Sequence, residues 1–357
     1  MSDRFSGANL GSAHGTIEIG ADLRGIDQAA QALADFERRG KSLDRALSGI
    51  ASGGALAGGA LAAGIGLAAR SFVSFESQML AVQAVSGATG EEFIQLSELA
   101  KQIGLDTVFS ATEAALALEE LAKAGVAIPD ILTGAAEGAT SLAAAAGIGI
   151  PEAATLIATA LNQFQLAGDE AIRIADVFAN VANASAADAT SFGEALRYVG
   201  GVANNLGVPI EDVAAAVAAL ADQGIQGSMA GTNLAAALQS LVSPSAKARE
   251  VQRQLGLQIT DNEGNFVGLA SVIQQLARAT KGLGEVERQR LLNALIPEER
   301  AVRAITALLT TQTDEAEAAG KAWDDYAEAM RQSGSAAQNA QTRLSGVAGS
   351  IEQLRGS

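Results

Sequence analysis

Three short stretches of this 357-residue chain carry residue types whose spacing could serve chemistry. Gly64-Ile65-Gly66, with Ala60 four residues earlier, has glycines spaced as in the phosphate-binding loop of a dinucleotide site. His14 is the one histidine of the chain, so any Ser/His/Asp triad would have to use it. The run Asp261-Asn262-Glu263-Gly264-Asn265 has acidic residues placed as at the start of a calcium-binding EF-hand loop.

None of these stretches lies in the element that its chemistry requires. A dinucleotide loop follows a β-strand, whereas the residues before Gly64 have a helical pattern. His14 lies in a Gly/Ser-rich leader, and the acidic run lacks the bidentate glutamate that completes a calcium loop. Walker, zinc-protease and GxSxG motifs do not occur in the sequence, and there is no cysteine. We therefore predict that the protein is not an enzyme and has no catalytic, cofactor-binding or metal-binding residues.

The composition favours many closely packed helices. Hydrophobic residues make up 48% of the chain but aromatic residues only 4%, and there are 5 prolines. Small side chains let helices approach closely, and few prolines leave room for long helices. The net charge of −16 argues against a protein whose main task is to bind phosphate backbones. The N-terminus lacks the apolar core of a secretion signal, so we expect the protein to begin in the cytoplasm.

Residues 1–25 are predicted as a flexible leader in which residues 16–24 can form one short strand. Residues 26–85 are predicted as one long helix, because apolar or small residues recur there at alternating steps of three and four. This is the period of a coiled-coil seam, although glycines at three of the positions lower helix stability. The seam positions are Ile26, Ala29, Leu33, Phe36, Gly40, Leu43, Leu47, Ile50, Gly54, Ala57, Leu61, Gly64 and Ala68.

Within that helix, residues 46–69 form an uncharged, Gly/Ala-rich apolar segment. As a helix the segment is long enough to cross a bilayer, and its small residues suit contacts between membrane helices. Few of its residues are strongly apolar, however, and the same small residues suit a tight bundle in water. The membrane alternative stays open as an insertion that depends on conditions.

Residues 86–310 are predicted as an irregular multi-helix core. Capping boxes mark three of its helix starts: Thr89 with Glu92, Ser110 with Glu113, and Ser191 with Glu194. Gly125, Gly168 and Gly207 each separate two helical stretches, which also fits a weak repeat of stacked helical hairpins. One small β-hairpin is expected in residues 257–269, around the acidic turn.

Residues 311–357 are predicted as a coiled-coil helix, since positions of small or apolar residues again step by three and four. These positions are Ala316, Ala319, Trp323, Tyr326, Met330, Ser333, Ala337, Ala340, Leu344, Val347, Ile351 and Leu354. The alternative is an amphipathic helix that packs on the core domain. Because the pattern runs to the last residues, we expect the helix to continue beyond Ser357. The fold class is therefore all-α, and the protein is expected to be oligomeric.

The middle of the chain resembles the core domain of phage tail tape-measure proteins. The resemblance covers about residues 72–310 and depends on the joint order of several motifs. These are "SFESQMLAVQAVSGATGEEFIQLSELAKQIG" (74–104), "FSATEAALALEELAKAGV" (109–126), "EALRYVGGVANNLGVPIEDVAAAVAALADQGIQGSMAGTNLAAAL" (194–238), "ITDNEGNFVGLASVIQQL" (259–276) and "LLNALIPEER" (291–300). An amphipathic helix and a Gly/Ala-rich apolar helix before the core also look like this family.

The resemblance implies a scaffold in the virion rather than a catalyst. Such proteins lie in the lumen of the tail tube as a few parallel copies, which implies three or six here, and their length sets the length of the tube. The implied partners are further copies of the chain, the tail tube protein, tip or baseplate proteins and tail assembly chaperones. The family's members leave ahead of the DNA at ejection, and some help it cross the host envelope, so DNA passes nearby without specific binding and a host membrane is a further implied contact.

Family members are usually far longer than 357 residues and carry their ruler segment after this core. The chain is therefore either the N-terminal portion of a longer protein or the ruler of a short tail. Two other functions remain as alternatives. One is a membrane-inserting, pore-type protein built on residues 46–69, and the other is a helical-repeat binding module.

Overall fold

The computed structural model describes residues 58–313, 317, 321–343 and 345, with side chains from residue 71 onward. The predicted leader, its short strand and the heptad positions before residue 58 lie outside these residues. So do the last heptad positions, from Leu344 onward. The chain divides into two compact units, Met1–Phe72 and Val73–Ser357, and the second unit contains the helical core.

The described residues form helices joined by short turns, which confirms the all-α class. The first is α1 (Gly58–Ser86), a continuous helix that confirms the C-terminal part of the predicted long helix. The others are α2 (Gly90–Asp106), α3 (Ala111–Lys123), α4 (Ala136–Ala146), α5 (Ile150–Phe164), α6 (Ala171–Ala184), α7 (Ala189–Asn205), α8 (Ile210–Asp222), α9 (Gly227–Val242), α10 (Ala246–Gln254), α11 (Leu269–Thr280), α12 (Glu285–Leu295), α13 (Glu299–Leu309), α14 (Trp323–Met330) and α15 (335–343).

The core is a stack of helical hairpins in two rows. In the first row α2, α3, α5, α7, α9 and α13 pack side by side in that order, and in the second row α4, α6 and α8 do the same. Helices α3, α5, α7 and α9 begin at residues 111, 150, 189 and 227, so the repeat is 39, 39 and 38 residues long. The stacked-hairpin alternative is therefore correct for this part of the core, and the irregular arrangement is not.

Hydrogen bonds join nearly equivalent positions of neighbouring repeats. Thr190 Oγ1 donates to Glu152 Oε1 over 2.8 Å, and Asn162 Nδ2 donates to the Ala124 carbonyl over 2.9 Å. Each of these pairs is separated by 38 residues, one fewer than the 39-residue repeat that it joins. The repeat is thus fixed by polar contacts at the surface as well as by the apolar core.

A common closure ends most helices of the stack. After the helix, one residue adopts a left-handed conformation, and the amide of the next, apolar residue bonds the carbonyl five positions earlier. Val208 N–Ala203 O and Ile225 N–Leu220 O are two examples, both at 2.9 Å. Glycine supplies the left-handed residue at each such end except one, where Gln165 has a φ of 53°. The apolar residue then packs against the core and sets the direction of the chain into the next helix.

Glycines let neighbouring helices of a row approach until their backbones touch. A Cβ added at Gly138 of α4 would lie 2.6 Å from the carbonyl oxygen of Ala171 in α6. A Cβ added at Gly231 of α9 would lie 2.8 Å from the backbone carbonyl carbon of Ala195 in α7. Contacts this short leave no room for any side chain, so the row spacing depends on these glycines.

Two sequence predictions within the core need correction. The capping boxes at Thr89 and Ser110 are confirmed, but the N-cap of α7 is Asp188, which accepts from Ser191 N over 2.7 Å. Ser191 instead uses its Oγ to accept from Gly227 N of the next repeat over 3.0 Å. The expected β-hairpin is a tight reversal with one antiparallel bridge, between Thr260 and Phe266, and the described residues contain no strand.

Candidate functional site

The most elaborate polar arrangement in the described part of the chain is the place where its C-terminal segment returns to the core. We define the docked segment as residues 321–343, which include α14 and α15. Helix α14 packs against both α6 and α8, so the docked segment lies across the face of the second row. That face of the row is thereby covered by the chain itself.

Apolar side chains of the docked segment lie in the core. Trp323 and Tyr326 are 2% and 3% exposed, and Met330 and Ala336 are each 1% exposed. Trp323 is the one tryptophan of a chain with few aromatic residues. Large aromatic side chains gain the most free energy from burial, so their use here makes the docking favourable.

Asp176 of α6 caps α15 from outside. Its Oδ2 accepts from Gly334 N over 2.8 Å, and its Oδ1 accepts from Ala336 N over 2.9 Å. The first amides of a helix have no partner within the helix, and a carboxylate there also interacts favourably with the helix dipole. Asn180, one turn further along α6, donates from Nδ2 to the Gln332 carbonyl over 2.9 Å. Helix α15 therefore begins where α6 supplies the acceptor.

Asp222, the last residue of α8, holds the beginning of the docked segment. Its Oδ2 accepts from Tyr326 OH over 2.6 Å and from Lys321 Nζ over 2.8 Å, and its Oδ1 accepts from Ala186 N over 2.8 Å. Burial alone would raise the pKa of Asp222, but hydrogen bonds from Lys321 and Tyr326 outweigh it and lower that pKa. Burial and the bond to Asp222 together raise the pKa of Tyr326 well above its usual value.

A third aspartate holds the turn between α14 and α15. Arg331 Nη2 lies 2.9 Å from Asp212 Oδ1 of α8. Burial raises the pKa of Asp212, while the positive charge of Arg331 opposes that shift. The core thus provides three carboxylates, and the docked segment provides the donors that satisfy them.

The prediction of one continuous coiled-coil helix over residues 311–357 is wrong for its described part. The chain leaves helical geometry between α14 and α15, where Gly334 has a φ of 78°. Trp323, Tyr326 and Met330 do share one face, as the heptad pattern predicts. That face is buried against α6 and α8 of the same chain, so the amphipathic-helix alternative is the correct one here.

The sequence analysis did not identify the aspartates that accept hydrogen bonds in this site, because acidic residues on helices are expected to be solvated. One available signal was the pair Asp176 and Asn180, four residues apart with only apolar residues between them. Two polar residues on one turn of a buried face need partners, and the partners must come from another element. That inference predicts a capped segment but does not say which segment it is.

The stretches with candidate chemistry take structural roles. Gly64-Ile65-Gly66 lies inside α1, where the backbone is helical. Asp261 accepts from Glu263 N over 2.9 Å and from Asn265 N over 2.8 Å, and hydrogen bonds from Asn265 lower its pKa. Across residues 71–313 and 321–343, no cluster of three acidic or histidine side chains is placed to hold a metal ion. None of the helices in the described ranges is both long and apolar enough to span a membrane.

Comparison with known proteins agrees with the family resemblance of the sequence. The model of the family described as "Phage-related minor tail protein" matches residues 97–296. The chain is 34% identical over 331 residues to the tape measure protein of Pneumococcus phage Dp-1, a match that covers 92% of this chain. It is 32% identical over 311 residues to the probable tape measure protein of Escherichia phage P2, which covers 85% of this chain.

The two relatives are much longer proteins. The matched region spans 28% of the Pneumococcus phage Dp-1 protein and 37% of the Escherichia phage P2 protein, so this chain corresponds to about a third of their length. No solved structure matches the chain at a significant level.

Proposed function

Because the chain belongs to the phage-related minor tail protein family, which includes tape measure proteins, we propose that it is the core-bearing part of a tail tape-measure protein. The observation that carries this proposal is the match of 92% and 85% of the chain to two such proteins. In this role the protein is a scaffold of the virion tail, acts without catalysis and sets tail length during assembly.

The geometry of the core favours different roles for the core and for the helices outside it. Neighbouring helices of a stack lie about 8–10 Å apart, so one 39-residue repeat advances the stack by only that distance. The same number of residues in one extended helix covers about 58 Å. A stack is therefore a poor ruler, and we propose that the core is an anchor while helical segments outside it measure length.

The docked segment is the proposed joint between anchor and ruler. It is held on the second row by its own buried aromatic residues and by three aspartates of the core, and it ends near the C-terminus of the chain. Chain that follows a well-anchored helix can be extended without unfolding the stack. The proposed partners are parallel copies of the chain, the tail tube, tip proteins and assembly chaperones, with DNA passing the assembly and a host membrane met at ejection.

The test is a change of helix length in the phage that encodes this chain. We would insert 28 helix-forming residues, four heptads, into the segment 344–357, which follows the docked segment and is predicted to be helical. As one continuous helix, four heptads add about 42 Å, and we expect tails longer by that amount on electron micrographs. The matched control inserts the same number of residues at the turn 262–264 of the core.

The control insertion should leave tail length unchanged, because a loop on the surface of the stack adds nothing along its length. Tails of normal length from the 344–357 insertion would refute the ruler. Equal lengthening by both insertions would refute the division into anchor and ruler.

A further inference from the structure

The two ends of the first row carry opposite charge, and both expose apolar residues. Residues 74–245 contain 19 acidic and 4 basic residues, whereas residues 246–303 contain 7 acidic and 9 basic ones. The negative charge of the core is therefore concentrated in the helices from α1 to α9. The helices from α10 to α13, at the other end of the row, have slightly more basic than acidic residues.

The acidic end is formed by α2 and the turn that follows it. Leu96, Ala100 and Ile103 of α2 face the core, and the opposite face exposes acidic residues next to large apolar ones. Leu105 is 80% exposed. The exposed residues of this face and of the turn after it include Glu91, Ile94, Glu98, Lys101, Leu105, Asp106 and Val108, and Lys101 pairs with Glu98 over 2.9 Å.

The basic end is formed by α10, α12 and the turn between α11 and α12. Within the ranges that the structure describes, five cations of this region form no ion pair with an acidic residue: Lys247, Arg249, Arg278, Lys281 and Arg290. Val286 of α12 lies one turn before Arg290 and is 68% exposed. Like the acidic end, this end therefore exposes a large apolar side chain among charged residues, but most of its unpaired charges are positive.

The ends of a free-standing helical stack are normally covered by polar faces, because nothing else keeps its last apolar surfaces from water. The docked segment covers the face of the second row in this way. The two ends of the first row still expose large apolar side chains, Leu105 and Val286. Exposed apolar residues ringed by charge are typical of a surface that binds another protein.

We propose that the acidic end of one copy binds the basic end of a second copy of this chain. The two surfaces differ, so the contact is head to tail, and repetition of such a contact can close into a ring. This inference deepens the proposed function, since it names a contact between the parallel copies, and it rests on that function only for the presence of several copies side by side. Opposite charge fixes the pairing, because like ends repel each other.

Cysteine cross-linking of the full chain tests the pairing, because the chain has no cysteine of its own. We would mix a Leu105→Cys chain with a Val286→Cys chain and add a short bis-maleimide. The expected product is a band with the mass of two chains. A Tyr198→Cys chain, whose cysteine would lie mid-row on α7 at a 52% exposed position, should give no such band with the Val286→Cys chain.

Two outcomes of this experiment overturn the proposal. If the Leu105→Cys chain cross-links mainly to itself, the contact is symmetric and not head to tail. If neither the mixture nor the single chains cross-link, the acidic end is covered by another part of the same chain or is free. Neither outcome bears on tail length, which the insertion experiment measures separately.

A charge exchange then tests whether the charges cause the pairing. The double variant Glu91→Lys/Glu98→Lys makes the acidic end basic, and the triple variant Lys247→Glu/Arg249→Glu/Lys281→Glu makes the basic end acidic. Both are placed in chains that carry the Leu105→Cys and Val286→Cys substitutions. Each variant alone should lose at least about tenfold in cross-linked product, because its two ends then have the same charge.

A mixture of the two variants restores opposite charge at both contacts and should recover the product. Lack of recovery would overturn the proposal, provided that circular dichroism shows both variants to be folded. Unchanged cross-linking of either variant alone would overturn it as well.

Discussion

Replacing Asp176 with alanine should release the docked segment while the stack of helices stays folded. The carboxylate accepts the backbone amides of Gly334 and Ala336, at 2.8 and 2.9 Å, and the side chain is 6% exposed. The Asp176→Ala variant leaves both amides without an acceptor at the start of α15. Each bond to a charged acceptor contributes about 1.5–3 kcal/mol, and water replaces part of this once the segment is released.

A loss of about 3 kcal/mol for the two bonds weakens docking about a hundredfold. Trp323 reports the change, because it is the one tryptophan of the chain and is buried by docking. Its emission should shift to longer wavelength at a urea concentration well below the loss of helical circular dichroism. In the unaltered chain the gap between the two transitions should be smaller.

Asp130→Ala is the matched control. Asp130 Oδ1 accepts from Gly168 N over 2.8 Å, a bond that joins two repeats and does not involve the docked segment. This variant should lower the urea concentration at which helical circular dichroism is lost. It should not widen the gap between that concentration and the one at which tryptophan emission shifts. If Asp176→Ala behaves in the same way as Asp130→Ala, the capping of α15 does not control docking and the reasoning fails.

Three further predictions concern the core and the pH range of docking. Gly231→Ala should lower the free energy of unfolding by about 3 kcal/mol or more in urea titrations, because the added Cβ would meet the backbone of the neighbouring helix. Gly201→Ala is the control and should be neutral or stabilising, because its added Cβ would lie 3.1 Å from the oxygen of a flexible glutamine side chain. Equal effects of the two substitutions would contradict the close backbone contact at Gly231. Gln165→Gly should raise the free energy of unfolding by up to about 1 kcal/mol, because glycine adopts a φ of 53° more readily than glutamine does. A lower free energy of unfolding would show that the contacts of the glutamine side chain outweigh this backbone preference. Docking should persist between about pH 4 and pH 10, because the lowered pKa of Asp222 makes its contribution fade as the pH falls below its ordinary value of 3.8. The raised pKa of Tyr326 makes its contribution fade above its ordinary value of 10.0. A urea midpoint of the tryptophan transition that stays constant from pH 3 to pH 11 would contradict both assignments.

Helix ends were more predictable than the way the helices pack. Ser110 and Glu113 form the predicted capping box because that motif is satisfied within four residues and needs no partner elsewhere. Ser191 and Glu194 have the same spacing, yet Asp188 caps the helix and Ser191 bonds the next repeat. A capping motif predicts which hydrogen bonds are available within the helix end. Which of these bonds form depends on the packing of neighbouring helices.

The three glycines that hinted at a repeat do not have one role. Gly125 and Gly207 have φ values of 82° and 69° and end helices with a left-handed residue. Gly168 instead begins a 3₁₀ turn and packs against the backbone of Asp130. The repeat is carried by the helix starts, 38 or 39 residues apart, which become visible only once each start is known. The spacing of glycines alone therefore located the hairpins but not their length.

The C-terminal heptads show most directly what a periodic pattern can and cannot specify. Steps of three and four place Trp323, Tyr326 and Met330 on one face, and that face is apolar and buried, as the pattern requires. The pattern does not say whether a second chain or the same chain covers the face, because both provide the same burial. The polar residues decide between them here. Asp176, Asp212 and Asp222 on the core have their donors on the docked segment, an arrangement that requires this segment in this register and has no counterpart in a symmetric seam.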